Sequence, residues 1–347
     1  MIKPGSIRFI LAILVLFFHI TKLIFIGYSA VLCFFMLSGY WITLMYENKY
    51  LKLRDPLKTF YLSRLWRLFP VFLLFNLLTF IVCYFYKPIT IHEITALGFP
   101  HNIAFWLSNF FLLGLNHSSP PVLGPAWSLD IELQFYLVYP LLFIFIAKYN
   151  YKVLFVFSFI TIILSLFFPF SFMSKTLIYY VAFFVIGMLI YLKKIEFSRK
   201  TEILCSSLFV LILIVNYIFP ELRKITMFNN ESPYNRHLNE ILPLLLIPLI
   251  GNSVKSKSSK FDRVLGDMSF VVYLCHWMLI VPYNYYIKGL TVTQRIPYSV
   301  IYIVITLLVS YLFYRYYDKP IDSLRRKWVE SHKVDTALTS IALQGKS

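Results

Sequence analysis

Apolar residues in this chain gather in long continuous runs near 7–27, 29–46, 68–86, 131–147, 152–169, 176–192, 203–220, 238–252, 269–287 and 297–316, with short polar stretches between them. Each run is close to the length that a helix needs to cross about 30 Å of hydrocarbon. The pattern predicts an all-α, polytopic membrane protein of about ten transmembrane helices. The stretch 87–130 breaks the rhythm. Within it NIAFWLSNFFLLGL (102–115) is too short to span and too apolar to float in water, so a short re-entrant or interfacial helix is expected. The PPVLGP run that follows (120–125) stops any helix and positions what comes next.

Composition agrees: 59% of the 347 residues are hydrophobic and 14% are charged, which excludes a water-soluble globule. A formal charge of +17 could suggest nucleic acid, but the basic residues cluster between apolar runs, the pattern that sets membrane orientation. Of the 33 Lys and Arg, 25 fall on the side of the N-terminus, 7 on the other, and Lys22 lies within the first span. The positive-inside rule then places both termini in the cytoplasm. Lys3 and Arg8 precede an apolar run as in a signal peptide, yet no small-residue cleavage site follows, so this reads as a retained first span. The division expected is a membrane unit over 1–320 and a cytoplasmic tail over 321–347. Cys33, Cys83, Cys205 and Cys275 lie in apolar runs without paired spacing, which points to neither disulfides nor zinc, and no metal site is expected.

Candidate chemistry starts with Arg8 and His19, because ionisable side chains inside lipid-embedded helices are rarely there without a use. Eleven helical steps of about 100° come to three turns plus roughly 20°, so the two share one face, about 16 Å apart along the axis. Arg8 would sit near one surface and His19 deep inside, a geometry that suits a long polar ligand. The plainer alternative is a snorkelling Arg and a His bonded to backbone. In FYLSRLWRLFP (60–70), Arg64 and Arg67 share a helix face and can present two guanidiniums to a phosphate, or can anchor the helix by the positive-inside rule. GPAWSLDIELQFYLVYP (124–140) sets Asp130 and Glu132 beside Trp127 and Tyr136 at the outer end of a span, where two carboxylates need a partner or a function. In GDMSFVVYLCHWM (266–278), His276 lies one turn beyond Tyr273, a position more often filled by a packing residue than by a catalyst. No Walker motif, dinucleotide fingerprint or internal repeat occurs.

In this order, Arg8 and His19 with ten residues between them, FFMLSGYWI (34–42), the Arg-x-x-Arg of Arg64 and Arg67 before Pro70, WSLDIELQFY and the late YLCH resemble acyltransferase family 3. These bacterial integral-membrane acyltransferases include O-antigen and other surface-polysaccharide O-acetyltransferases. The resemblance runs from about residue 5 to about residue 320. It implies an enzyme of the bacterial inner membrane that takes an acyl group from cytoplasmic acyl-coenzyme A, acetyl-coenzyme A by prevalence, and places it on a hydroxyl of a surface polysaccharide or lipid-linked glycan.

It also implies roles. Arg64 and Arg67 would hold the coenzyme phosphates, Arg8 would line the route inward, and His19 would meet the thioester or the acceptor hydroxyl. An imidazole buried in a low-dielectric interior stays neutral and can take a hydroxyl proton, and Lys22 one turn on would push the same way. Direct transfer is the preferred route. An acyl-enzyme on His19 or Ser38 is the alternative, although no nucleophile-elbow motif supports it. Trp127, Asp130, Glu132, Tyr136 and His276 are expected on the acceptor side. A polar cavity should then cross the bundle, narrowest at His19, with the 102–115 segment near its outer mouth. The competing class is a lipid-linked glycan flippase or transporter, which would also be basic and polytopic, but two similar halves and a matched pair of Gly/Pro-broken helices are both missing from the sequence.

Overall fold

In a computed structural model of the chain, the described residues are 2–21, 25–87, 96, 98, 101–117, 121–148, isolated positions between 152 and 163, 175–219 and 233–333. Among them the architecture is all α, apart from one antiparallel bridge between Leu53 and Lys333. The helices are α1 (Pro4–Ile20), α2 (Gly27–Asn48), α3 (Pro56–Tyr86), α4 (His101–Phe111), α5 (Trp127–Lys148) and α6 (Leu177–Leu192). Next come α7 (Arg199–Ile218), α8 (Pro233–Leu245), α9 (Ile247–Lys255), α10 (Lys260–Tyr286), α11 (Val292–Phe313) and α12 (Lys319–Glu330).

Among the described residues, six helical stretches can cross a membrane by length and composition, or seven if the bent pair α8–α9 is one span, and α1 and α6 are shorter apolar helices. The difference from the ten expected spans has identifiable causes. Residues 152–169 fall largely outside the described residues. With 17 and 16 residues, α1 and α6 reach only about 25 Å. The 238–252 run bends by 43° after Leu245, where Pro248 cannot donate a backbone hydrogen bond. Helices α3 and α10 also begin well before the apolar runs that they carry, at Pro56 and Lys260. Arg64 and Arg67 of α3 and Arg263 and Asp267 of α10 line a shared cavity, so a drop in hydropathy does not mark a helix end. The segment after residue 87 holds α4 as a short helix whose outer face shows Ile103, Trp106, Leu107 and Phe110, as expected of a re-entrant or interfacial element.

Two close crossings fix the bundle. Helices α1 and α10 run in the same direction, and a Cβ on Gly5 would lie 1.8 Å from the Asp262 carbonyl oxygen, so only glycine allows this approach. The Asp262 carboxylate accepts from Gly5 N (3.1 Å), Ser6 N (2.7 Å) and Ser6 Oγ (2.7 Å), capping α1 with an acid from another helix. On the other side, a Cβ on Gly39 of α2 would come within 2.0 Å of Phe184 O, and one on Gly187 of α6 within 1.9 Å of Met36 O. Phe35, Phe184 and Phe135 stack beside that crossing at centroid distances of 4.6 and 4.1 Å.

Beyond α11 the chain makes a π-helical turn, Tyr314–Asp318, and enters α12. Helix α12 returns against α3, where Arg325 Nη1 donates to Ser63 Oγ at 2.7 Å. Residues 319–330 are thus built into the bundle, while 334–347 of the expected tail lie outside the described residues.

Candidate active site

A cavity of about 500 Å³ opens among α1, α2, α3, α5, α10 and α12, at the end of the bundle where α1 begins. Its mouth is basic: Lys49, Arg64, Arg67, Arg263, Arg325 and Arg326 line it, with Asp267 and Asp322 as the acids among them. Further in come Arg8, Ser38, Glu132 and Tyr136, and the inner end is formed by Val31, Phe34, Ser128 and Tyr273. From Lys49 to Val31 along α2 is eighteen residues, so the cavity runs about 27 Å, most of a bilayer core.

The pair found in the sequence, Arg64 and Arg67, lines this mouth together. Arg64 is buried and donates through Nη2 to Tyr50 OH at 2.7 Å, while its Nε has no partner. Arg67 is held by Asp318 at 2.5 Å and lies 5.2 Å over the ring of Phe270. Tyr50 OH shares a hydrogen bond with Ser63 Oγ (2.8 Å), which accepts from Arg325, and Arg325 pairs with Asp322 at 2.7 Å. Helices α3 and α12 are therefore tied into one guanidinium cluster. Such a cluster, with donors still free, matches a polyphosphate. Lys49, Arg263, Arg325 and Arg326 are site residues that sequence reasoning missed, because in the chain they read as scattered anchors beside separate spans.

Arg8 also lines the cavity, and among the described residues its guanidinium makes no hydrogen bond or ion pair. Asp267 and Glu132 lie within electrostatic reach of it. A buried guanidinium that faces a cavity without a direct hydrogen-bond partner is placed for a ligand.

Glu132 and Tyr136 line the same cavity. Glu132 Oε1 accepts from Ser38 Oγ and from Tyr136 OH, each at 2.6 Å. Asp130 and Trp127, grouped with them in the sequence, are not brought there. Asp130 is fully buried and accepts from Gly114 N (3.2 Å), Asn116 N (3.0 Å) and Gln134 Nε2 (3.0 Å), tying the turn after α4 to the start of α5. Trp127 stacks on Tyr28 with centroids 5.6 Å apart. The signal was present: two residues on a helix differ by about 200°, so Asp130 and Glu132 had to face opposite ways.

His19 is not among the residues that line the cavity, nor is the 102–115 segment. The cavity ends one turn short, where Tyr273 OH meets Ser128 Oγ at 2.8 Å and donates to Pro125 O at 3.1 Å. Behind this contact His276 lies 6.0 Å from the Tyr273 ring, and His19 stacks on His276 with centroids 5.3 Å apart. Trp277 closes the other edge of His19 at 5.1 Å. His276 Nδ1 lies 3.2 Å from Val272 O, and its buried Nε2 has no partner. His19 likewise makes no hydrogen bond among the described residues. The parallel register of α1 and α10 thus assembles two imidazoles with free nitrogens from sites 257 residues apart in the chain. The Lys22 suggested as its electrostatic neighbour lies outside the described residues. Among the described residues no group of three or more His, Cys, Asp or Glu is arranged to hold a metal ion.

Comparison with known proteins fits this arrangement. Residues 5–315 match the family model described as an acyltransferase domain. The chain is similar to the O-acetyltransferase OatA of Staphylococcus aureus strains NCTC 8325, COL and MRSA252, 27% identical in each case along an alignment of 332 positions that covers 85% of this chain and 52% of each relative. It therefore spans about half the length of the curated relatives that it matches. No solved structure matches it. The match covers α1 to the π-helical turn and takes in the basic mouth on α3, the Ser38–Glu132 contact and both histidines: the chain belongs to the acyltransferase family, built as a polytopic helical membrane bundle.

Proposed function

We propose that this chain is an O-acetyltransferase of the bacterial inner membrane that takes the acetyl group of cytoplasmic acetyl-coenzyme A and delivers it to a hydroxyl of a surface polysaccharide or lipid-linked glycan. The observation that carries this reading is the basic mouth of a long cavity. Guanidiniums from α3, α10 and α12 gather where a nucleotide polyphosphate would dock, and the cavity behind them runs inward past Arg8, Ser38 and Glu132 to Val31 and Phe34, a length that suits an extended pantetheine arm. The excess of basic residues on the side of the N-terminus supports a cytoplasmic position for that mouth and both termini.

The acceptor approaches from the opposite end, toward His19 and His276. His19 takes the proton of the acceptor hydroxyl, and Arg8 faces the charge that develops on the thioester oxygen. The Tyr273–Ser128 contact separates the two ends in this structure, so the acyl group and the acceptor meet when it parts. That the relatives are O-acetyltransferases supports the choice of acetyl and of an oxygen acceptor.

Membranes containing the chain, incubated with acetyl-labelled acetyl-coenzyme A, should pass label to extracytoplasmic glycan. Label remaining wholly in the coenzyme, with the glycan moved across unmodified, would sink this reading in favour of a flippase.

A further inference from the structure

Of three serine hydroxyls that reach across to another helix, Ser29 to Asn239, Ser6 to the Asp262 carboxylate and Ser38 to Glu132, Ser38 is the one of the three that lines the cavity. Thr43, Thr79, Ser108 and Ser269 each donate to a carbonyl three or four residues back in their own helix, the usual way a helical hydroxyl satisfies itself. Ser38 instead reaches across from α2 to Glu132 of α5 at 2.6 Å. Tyr136 holds the same carboxylate oxygen, and nothing among the described residues donates to Oε2. Arg8, without a hydrogen-bond partner among the described residues, lines the same cavity. Ser38 lies eleven residues along α2 from Lys49 at the mouth, about 16 Å inward. A pantetheine arm whose phosphates sit on the guanidinium cluster covers a distance of this order, which brings its thioester to the level of Ser38.

The geometry points to Ser38 as an acyl-carrying nucleophile, with Glu132 as its base and Arg8 facing the oxyanion, an inference that rests on the donor reading above. Ser38 Oγ attacks the thioester carbonyl and its proton passes to Glu132. Collapse of the tetrahedral adduct breaks the carbon–sulfur bond, and the coenzyme leaves as a thiol with the proton returned by Glu132. Ser38 is left as an ester. An acceptor hydroxyl then attacks that ester, and Ser38 leaves as a hydroxyl, so that the acceptor has exchanged its proton for the acyl group and the enzyme is restored. His19 serves this second half. A carrier lets the bulky coenzyme depart before the Tyr273–Ser128 contact opens toward the acceptor.

The test is isotope exchange with no acceptor present. The purified full chain in lipid nanodiscs, given acetyl-coenzyme A and labelled free coenzyme A, should move label between the two, and acid quenching should leave acetyl on the peptide that contains Ser38. Ser38→Ala should lose exchange by at least about a hundredfold yet still bind acetyl-coenzyme A, and Glu132→Gln should slow it by roughly 10²–10⁴. Ser38→Cys should exchange and carry a hydroxylamine-labile thioester, which keeps the result readable if the alanine variant folds poorly. Overall transfer without exchange or adduct, parental transfer by Ser38→Ala, or acetyl on another side chain would each overturn the inference while leaving the donor reading intact. A wild-type chain that neither binds nor uses acetyl-coenzyme A would overturn both.

Discussion

Arg67 and Asp318, 251 residues apart in sequence, are joined by a 2.5 Å ion pair that fastens α3 to the π-helical turn between α11 and α12. Beyond the turn the last helix brings Arg325, buried, beside Arg64 and Arg67, with Arg326 exposed at the rim of the same cavity. The basic mouth is therefore closed by the helix Lys319–Glu330, and its side chains come from distant parts of the chain.

Arg64→Lys and Arg67→Lys keep the charge but lose the planar fork, so the KM for acetyl-coenzyme A should rise roughly ten- to a hundredfold with a smaller change in kcat. Arg326→Ala and Asp318→Asn should act in the same direction, the latter by releasing Arg67 and the turn. Steady-state kinetics of donor consumption decide this. If both Lys variants behave like the parent, Arg64 and Arg67 are topological anchors only.

His19→Ala should lower transfer by about 10²–10⁴ while protein level and thermal stability stay near the parent, since it removes a proton acceptor without placing a charge in lipid. The donor KM should not move, because His19 lies beyond the end of the cavity. Full activity in this variant removes the base from the mechanism.

Asp130→Ala and Glu132→Ala should separate, although the two residues are neighbours in sequence. Asp130→Ala strips the acceptor from two backbone N–H groups of the loop after α4 and should cost about 1–3 kcal/mol or more of stability, read as a lowered Tm in detergent. Glu132→Ala should leave Tm nearer the parent and abolish turnover. Equal losses of stability in the two variants would contradict the division.

Gly39→Ala places a methyl about 2.0 Å from the Phe184 carbonyl, a backbone clash that rotamers cannot relieve. It should cost about 1–3 kcal/mol through overpacking and shift Ser38, its neighbour, out of line with Glu132. A variant with parental Tm and activity would show that the α2–α6 crossing tolerates slack.

Much of this was legible in the chain, for specific reasons. Apolar runs gave most helices, and the cost of a charge in lipid singled out Arg8, Arg64, Arg67 and His19. The roles of Lys49, Arg263, Arg325 and Arg326 could not be read, because a basic residue at the end of a span has the same sequence signature whether it anchors the helix or converges with others on a ligand. His276 was marked by the YLCH motif, but its stacking on His19 depends on the parallel packing of two helices that the sequence does not state. Asp130 was misgrouped with Glu132 by proximity in sequence, where the helical angle already separated them.

The central claim is directional, from a donor at the basic mouth to an acceptor beyond the histidines, and sealed membrane vesicles of known orientation test it most directly. Acetyl-labelled acetyl-coenzyme A, which does not cross the bilayer, is supplied outside inverted vesicles that carry the chain and its glycan acceptor. The account predicts label on glycan inside these vesicles, lost with Arg64→Ala or His19→Ala, and none when right-side-out vesicles receive the same donor. Equal labelling from both faces, or labelling that survives loss of Arg64, would contradict it.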